Sequence, residues 1–498
     1  MHALIPAPAN ASQWHIWREQ LHQWRNSTRY LLNYDDALYN APEFAWIPRT
    51  FTLALVMMCD LLFYDGDYHL DEFLDYGEQE FGGYDAIILW HAYPRIGFDA
   101  RNQFDFYRQM PGGLPRLRTL VEQCHARGVR VYVDYNPWDT GTRRENQSDI
   151  DALVELVQAI DADAIFLDTM SNAAQGLREK LDAARPGVTL ESEVLVPLEH
   201  LHTHPSSWAQ SFNDVPGVLR NKWFERRHMQ HRIKRWQHDH TPELHTAWMN
   251  GTGMVVWENV FGTFVGWNER DKSLLRAMIG IQRRYHHLFS GEGWTPLIPT
   301  LIETVHASLW EDASTRLWTL VNHAETDTSG ALIAVPHYDG QCYYDLVRGE
   351  EIAPQIIDGR AILQGHMRPR GIGAFLAIAD DAPDLQNFLA QQRAIDARAN
   401  FDAAPPTHII TLHPAPTTTY YDANNLPLNM IAIPAYSFDM TVTFTMRECG
   451  FYDVPGVVYP SLRYMNLHRP FSLKRHVDLQ PYAIDLTPVT NQQFAEFI

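Results

Sequence analysis

Between Phe51 and Glu258 the chain carries eight short β-patterned runs, most of them separated by helical patterns and each ending in acidic, amide, imidazole or aromatic residues. They are FTLALVMMCD (ending at Asp60), DAIILWH (His91), VRVYVDYN (Asn136), DAIFLDT (Asp168), VTLESEV (Glu191 and Glu193), WAQSFND (Asp214), HTAWMN (Asn250) and MVVWEN (Glu258). Strands alternating with helices imply a parallel sheet, and eight such units close into an α/β fold, the (β/α)8 TIM barrel. Catalytic groups in such barrels come from the C-terminal strand ends, so carboxylates collected there mark a reactive face. The chain reads as an enzyme.

Charge and composition narrow the partners. The formal net charge of −20, with no long basic run, argues against nucleic acid or an anionic membrane surface. The opening MHALIPAPANASQWHIW has neither a basic n-region nor an apolar h-region, and no apolar run approaches the length of a membrane span. The four cysteines, Cys59, Cys124, Cys342 and Cys449, are scattered without a CxxC, as expected of reduced thiols in a cytoplasmic protein. Oligomeric state is not legible.

The 498 residues divide into five parts. Residues 1–45 carry an aromatic amphipathic helix, SQWHIWREQLHQW, with Ser12 as its N-cap, packed on the barrel of 46–294. The long segment VLRNKWFERRHMQHRIKRWQ reads as the helix after the sixth strand, and only a few residues separate the seventh strand from the eighth. From 295 to 378 the period changes to two, with Gly, Asp and Asn turns between runs, predicting an antiparallel β-sandwich. Residues 379–406 read as a helical linker, and 407–498 as a separate C-terminal module.

Alternation assigns faces. In VTLESEV, Glu191 and Glu193 share the face opposite Val188 and Leu190 and point into the barrel, with Glu193 nearer the mouth; Asp168 ends the neighbouring strand. Two carboxyls from adjacent strands suit glycoside hydrolysis, in which one protonates the leaving oxygen and the other attacks, or directs water to, the anomeric carbon. The competing structural role is ion pairing with inward arginines such as Arg95 or Arg143. Trp90, Trp138, Trp208, Trp248 and Trp257 fall at or just past strand ends, where an indole can stack on a sugar ring. Asp60, His91, Tyr93, Arg95, Asp134, Asn136, Glu191, Asn250 and Glu258 supply hydrogen-bonding groups for hydroxyls. Histidines cluster in EHLHTH and HMQHRIKRWQHDH, but neither spacing matches a zinc motif, and no phosphate loop, dinucleotide turn or nucleophile elbow is present. No metal or cofactor is expected.

The fourth-strand IFLDT, the acidic fifth strand and the appended sandwich resemble α-glycosidase-type barrel enzymes over about residues 50–378. That resemblance implies Asp168 as nucleophile and Glu193 or Asp214 as acid/base; the Arg that amylase-like enzymes carry two residues before the nucleophile is Phe166 here. In the tail, NMIAIPAYSFDM followed by RHVDLQPYAIDLTPVTNQQFAEFI resembles the opening of a formylglycine-generating (sulfatase-modifying factor) domain. Pro488, Val489, Thr490, Asn491, Phe494 and Phe497 carry the match, while Ala435 and Tyr436 stand where the family has two glycines. The resemblance implies a truncated α+β module without that family's copper-binding cysteines. Two functions compete: a glycoside hydrolase acting on a carbohydrate substrate, and a non-catalytic carbohydrate-binding barrel accessory to a formylglycine-generating-type protein.

Overall fold

The computed structural model describes residues 3–91, 101–137, 145–210, 215–261, 263–379, 384–406, 422, 425–445 and 470–497. They form two compact units, Met1–Pro406 and Thr407–Ile498.

In the first unit eight parallel strands close into a barrel: β1 (Thr52–Met57), β2 (Ala86–Trp90), β3 (Arg130–Tyr135), β4 (Ala164–Leu167), β5 (Thr189–Ser192), β6 (Ser206–Ala209), β7 (Met229–Arg232) and β8 (Gly253–Val256). Closure comes from β8 pairing with β1, Met254 opposite Thr52 and Val256 opposite Ala54. In β2 to β5 one face is apolar because it meets the surrounding helices: Ile87, Leu89, Val131, Val133, Ile165, Leu167 and Leu190 are buried in the large shared core. The opposite parity, including Ile88, Tyr132, Phe166, Glu191 and Trp208, faces the barrel axis. Strand ends therefore project whatever polar groups the sequence places there into the mouth.

Seven of the eight expected strands, the first six and the eighth, overlap observed ones, and the seventh does not. HTAWMN is the end of a helix, Thr241–Asn250, and β7 is the polar run MQHR inside the segment read as a single long helix. That segment instead contains a short strand, Gly217–Leu219, paired antiparallel with Leu4–Pro6, then a short helix, Arg220–Phe224, and then β7. The irregular connection thus lies between β6 and β7. The true seventh strand hides because His231 is paired inside the barrel and Arg232 is buried, so the run lacks the apolar periodicity that marks a strand.

Trp14–Leu31 forms the N-terminal helix, entered through a 3-10 turn, Ala11–Gln13, whose cap is Asn10 accepting from the Ser12 N–H, not Ser12 itself. Its Trp17 and Leu21 are buried, and the Leu21 carbonyl accepts from the Trp223 indole at 3.1 Å.

The sandwich follows as expected. A six-stranded antiparallel sheet runs from Trp294–Ile298 to Glu350–Ile352, and a three-stranded sheet holds Thr328–Pro336, Arg360–Met367 and Gln355–Ile357. Trp318, Leu320, Ile333, Leu363 and Phe375 fill the space between. It is fastened to the barrel through the helix Thr241–Asn250: the Trp248 indole donates to the Gly373 carbonyl at 3.1 Å, and Ser308 Oγ to the Met249 carbonyl at 3.2 Å. Gly251, at φ +58°, ends that helix where a Cβ would meet Phe289 at 2.7 Å and Trp310 at 3.0 Å. The expected linker is docked as well. Its helix Leu385–Ala397 buries Leu385, Phe388 and Leu389, and Gln392 donates to the Ala277 carbonyl of the helix Glu269–Arg284 at 3.1 Å.

The second unit holds two antiparallel ribbons, Met430–Ile433 with Tyr482–Asp485 and Tyr436–Thr445 with Pro470–Leu479, and a helix, Asn491–Phe497. Ile431, Tyr436, Leu473, Ile484 and Phe494 are exposed. Among the described residues no helix is long and apolar enough to cross a membrane.

Candidate active site

The strand ends of β3, β4 and β5 bring three carboxyls to the mouth, Asp134, Asp168 and Glu193, none more than 8% exposed. Asp168 follows β4 directly and is tied to β3 by its own N–H, which donates to the Tyr135 carbonyl at 3.0 Å. Its Oδ2 accepts from the Trp90 indole and from Asn136 Nδ2, each at 3.3 Å. Asn136 is held in turn by Gln103, which accepts from the Asn136 N–H at 2.9 Å and donates to its carbonyl at 2.8 Å. Burial, then the charges of Asp134 and Glu193 and a hydrogen bond with Glu193, push the Asp168 carboxyl well above the usual carboxylate range. Burial, seconded by the Glu193 charge, does the same to Asp134, whose Oδ2 lies 3.0 Å from His91 Nδ1.

Glu193 is surrounded by donors. Its Oε2 accepts from the Thr169 N–H at 2.7 Å, and its Oε1 accepts from Gln210 Nε2 at 3.2 Å and from Arg235 Nη2. Three donors, one of them cationic, fix the orientation of this carboxyl. The mouth therefore combines a carboxyl that resists ionisation, Asp168, with a neighbouring one anchored by hydrogen bonds on both oxygens, Glu193.

Aromatic rings cover this group. Trp90 meets Trp257 edge-on with centroids 5.9 Å apart, and Phe261 lies 5.5 Å from Trp90 and 4.9 Å from Trp257. Phe261 sits at φ +51°, a left-handed conformation uncommon for a bulky residue, in the turn joining Asn259–Val260 to Thr263–Phe264. Asp60 reaches the rim of the same end, where its Oδ2 accepts from Asn259 Nδ2 at 2.6 Å.

Other expected site residues lie elsewhere. Glu191 does point inward, but it is fully buried below the mouth, with its Oε1 2.7 Å from His231 Nδ1, and forms an internal ion pair instead of a ligand contact. Trp208 stacks on Phe166 inside the barrel, centroids 4.5 Å apart and 1% exposed, and offers no face to a sugar. Asn250 ends a helix before β8, at the opposite end of the barrel from the carboxyls; it accepts from the Leu219 N–H at 2.8 Å and donates to Thr246, both structural contacts. Trp248 in the same helix is buried against the sandwich. Glu258 stands at the mouth end but turns outward: it accepts from Tyr76 Oη at 2.6 Å and from the Trp267 N–H at 3.2 Å. Tyr93, Arg95, Trp138, Arg143 and Asp214 lie outside the described residues.

Gln210, Arg235 and Phe261 were not foreseen. Gln210 was findable, since it continues the inward parity of Trp208, whereas nothing in the sequence pointed to Arg235 once β7 had been misplaced. The histidine clusters serve as packing groups: His204 accepts from the Ala173 N–H at 2.9 Å, and His228 bridges Ser207 Oγ (2.9 Å) and Tyr39 Oη (3.2 Å). Among the described residues no group of three or more His, Cys, Asp or Glu side chains is placed to hold a metal.

No protein-family model and no curated protein matches this sequence. Among solved structures, an Anoxybacillus α-amylase aligns with 68% of this chain and 99% of its own at 13% identity and a TM-score of 0.45. The α-amylase from H. orenii aligns with 66% of this chain and 99% of its own at 13% identity and a TM-score of 0.46. A cyclomaltodextrinase aligns with 67% of this chain and 79% of its own at 12% identity and a TM-score of 0.46.

Proposed function

We propose that the barrel is a glycoside hydrolase whose reacting groups are Asp168 and Glu193. The observation that carries this reading is the pair itself. Two carboxyls at adjacent strand ends share one buried mouth in unlike surroundings, as a proton donor and a nucleophile or base require. One protonates the glycosidic oxygen, while the other attacks the anomeric carbon or orients a water toward it. The α-glycosidase resemblance assigns attack to Asp168 and proton donation to Glu193. Trp90 and Trp257 supply apolar surface for a pyranose, and Asn136, Asp60 and the His91–Asp134 pair supply partners for hydroxyls.

The test is a screen of aryl glycosides of several sugars, repeated with Asp168→Asn and Glu193→Gln. Each substitution should lower turnover by about a hundredfold or more while the circular dichroism spectrum stays unchanged. Near-normal activity of both variants on a substrate that the parent cleaves would overturn the assignment. The second reading, a sugar-binding barrel without turnover, is favoured by the Trp90 indole that bonds Asp168 and by Phe261 packed on that indole. It predicts calorimetric binding of an oligosaccharide with no cleavage. The tail as the opening of a formylglycine-generating-type domain is supported by its order of strands followed by the VTN helix, and belongs with this second reading.

A further inference from the structure

Trp236 is the one exposed tryptophan among the described residues, 51% open, and it lies at the exit of β7 directly after Arg235. Its backbone sits at φ +64°, a left-handed conformation that a bulky residue keeps only where its surroundings impose it. Both flanks do so. Ile233 is buried on one side. On the other, His238 Nδ1 donates to the Gly266 carbonyl at 2.9 Å, and the His238 carbonyl accepts from the Asn268 N–H at 3.1 Å and from Asn268 Nδ2 at 2.9 Å.

The indole so held meets the aromatic cover of the mouth. Its centroid lies 5.8 Å from that of Phe261, itself left-handed at φ +51°. Phe261 in turn meets Trp257 and Trp90, and the Trp90 Nε1 donates to Asp168. Ring contacts thus run unbroken from solvent to the Asp168 carboxyl. The hairpin that carries Phe261 is fixed at its base, where the Asn259 carbonyl accepts from the Trp257 indole and Asn259 Nδ2 donates to Asp60, both at 2.6 Å.

Along its own segment the exposed indole is flanked by Lys234, Arg235, Gln237 and Asp239, all polar and none buried. That setting suits a ligand with an apolar face for the indole and a rim of hydroxyls for its neighbours, which is the chemistry of a pyranose ring. Resting on the carbohydrate reading of the mouth and not on turnover, we propose that Trp236 is the platform of an outer sugar subsite. It takes a further ring of an oligosaccharide whose first ring lies against Trp90 and Trp257. Two strained, anchored aromatic residues hold this surface ready before the ligand arrives, so the added ring orders little of the protein when it binds.

The experiment is calorimetric titration of the full chain with the maltose, cellobiose and laminaribiose series, each from disaccharide to hexasaccharide. In the series that binds, affinity should rise with added rings, and Trp236→Ala should remove about tenfold of that rise. Trp236→Phe keeps a ring and should retain part of it. Trp236→Gly, which relaxes the left-handed backbone, should lose the same increment without lowering the melting temperature. A tryptophan that only packs on Phe261 would do the reverse, lowering the melting temperature and leaving the increment intact. The proposal is overturned if no series binds the parent, if Trp236→Ala keeps the increment, or if alkyl and aryl glycosides gain from Trp236 while added sugar rings do not. Length-dependent binding that needs Trp236, with no cleavage of the bound oligosaccharide, upholds the subsite and counts against the hydrolase reading alone.

Discussion

Removing the anion from the Glu191–His231 pair should damage folding and not substrate recognition. Both side chains are fully buried in the barrel interior, with Nδ1 and Oε1 2.7 Å apart and His231 Nε2 2.8 Å from the Thr50 carbonyl. Burial alone would depress the His231 imidazole, but the charge of Glu191 and its hydrogen bond, with Thr50 and Asp85 in support, outweigh burial and raise it above 6.5. The folded protein therefore binds this proton more tightly than the unfolded chain. The resulting stability is complete below the ordinary histidine value and is lost as pH rises through the raised one. Glu191→Ala leaves a buried imidazolium with no counter-charge, which costs about 3–5 kcal/mol. Glu191→Gln keeps the volume and an acceptor and should cost less, about 1–3 kcal/mol. Replacing both residues with apolar ones, Glu191→Met with His231→Leu, should recover much of the loss. Urea unfolding followed by far-ultraviolet circular dichroism at pH 6 and pH 8 measures all three (both values chosen as roughly bracketing histidine titration). The parent should lose stability between the two conditions, and the double variant should not show that loss. The reasoning is refuted if Glu191→Ala unfolds within about 1 kcal/mol of the parent, or if Glu191→Gln abolishes activity without touching stability.

Trp208→Ala opens the Phe166 stack inside the barrel and should cost about 3–5 kcal/mol, with oligosaccharide affinity per folded molecule unchanged by calorimetry. Asp345, buried in the sandwich, has its carboxyl pushed up to about 7, chiefly by burial. Its ionisation therefore destabilises the fold as pH climbs from the ordinary aspartate value toward 7 and is fully felt above it. Asp345→Asn keeps the Oδ1 that accepts from the Val347 and Arg348 N–H groups at 3.1 Å, so thermal melts should show it more stable than the parent in alkaline buffer and similar to it in acid.

The barrel was legible where one strand face is apolar and the other ends in a polar group, as in AIFLD and TLESE. MQHR failed that test because it buries polar side chains, His231 among them, whose partners Glu191 and Thr50 only the closed barrel provides. HTAWMN is the end of a helix that Pro242 in the first turn and Gly251 past the end frame in the sequence itself. Glu258 could have been read correctly by carrying the parity of Met254 and Val256 two residues further. Glu193 came from that same parity rule, and Asp168 from its place at the end of a strand. Arg235 shares the inward parity of His231, but the polar MQHR run hides the strand from which that parity would be counted.

The fastening of Trp248, Met249 and Gly251 to the sandwich means that the boundary near Trp294 separates shapes without separating cooperativity. The helix before β8 closes the barrel seam with one side and rests on Trp310, Ser308 and Gly373 with the other. A chain cut at that boundary would leave its last strand to pair with β1 over an unsupported helix, so the two folds can be inherited, recombined or swapped only as a single piece.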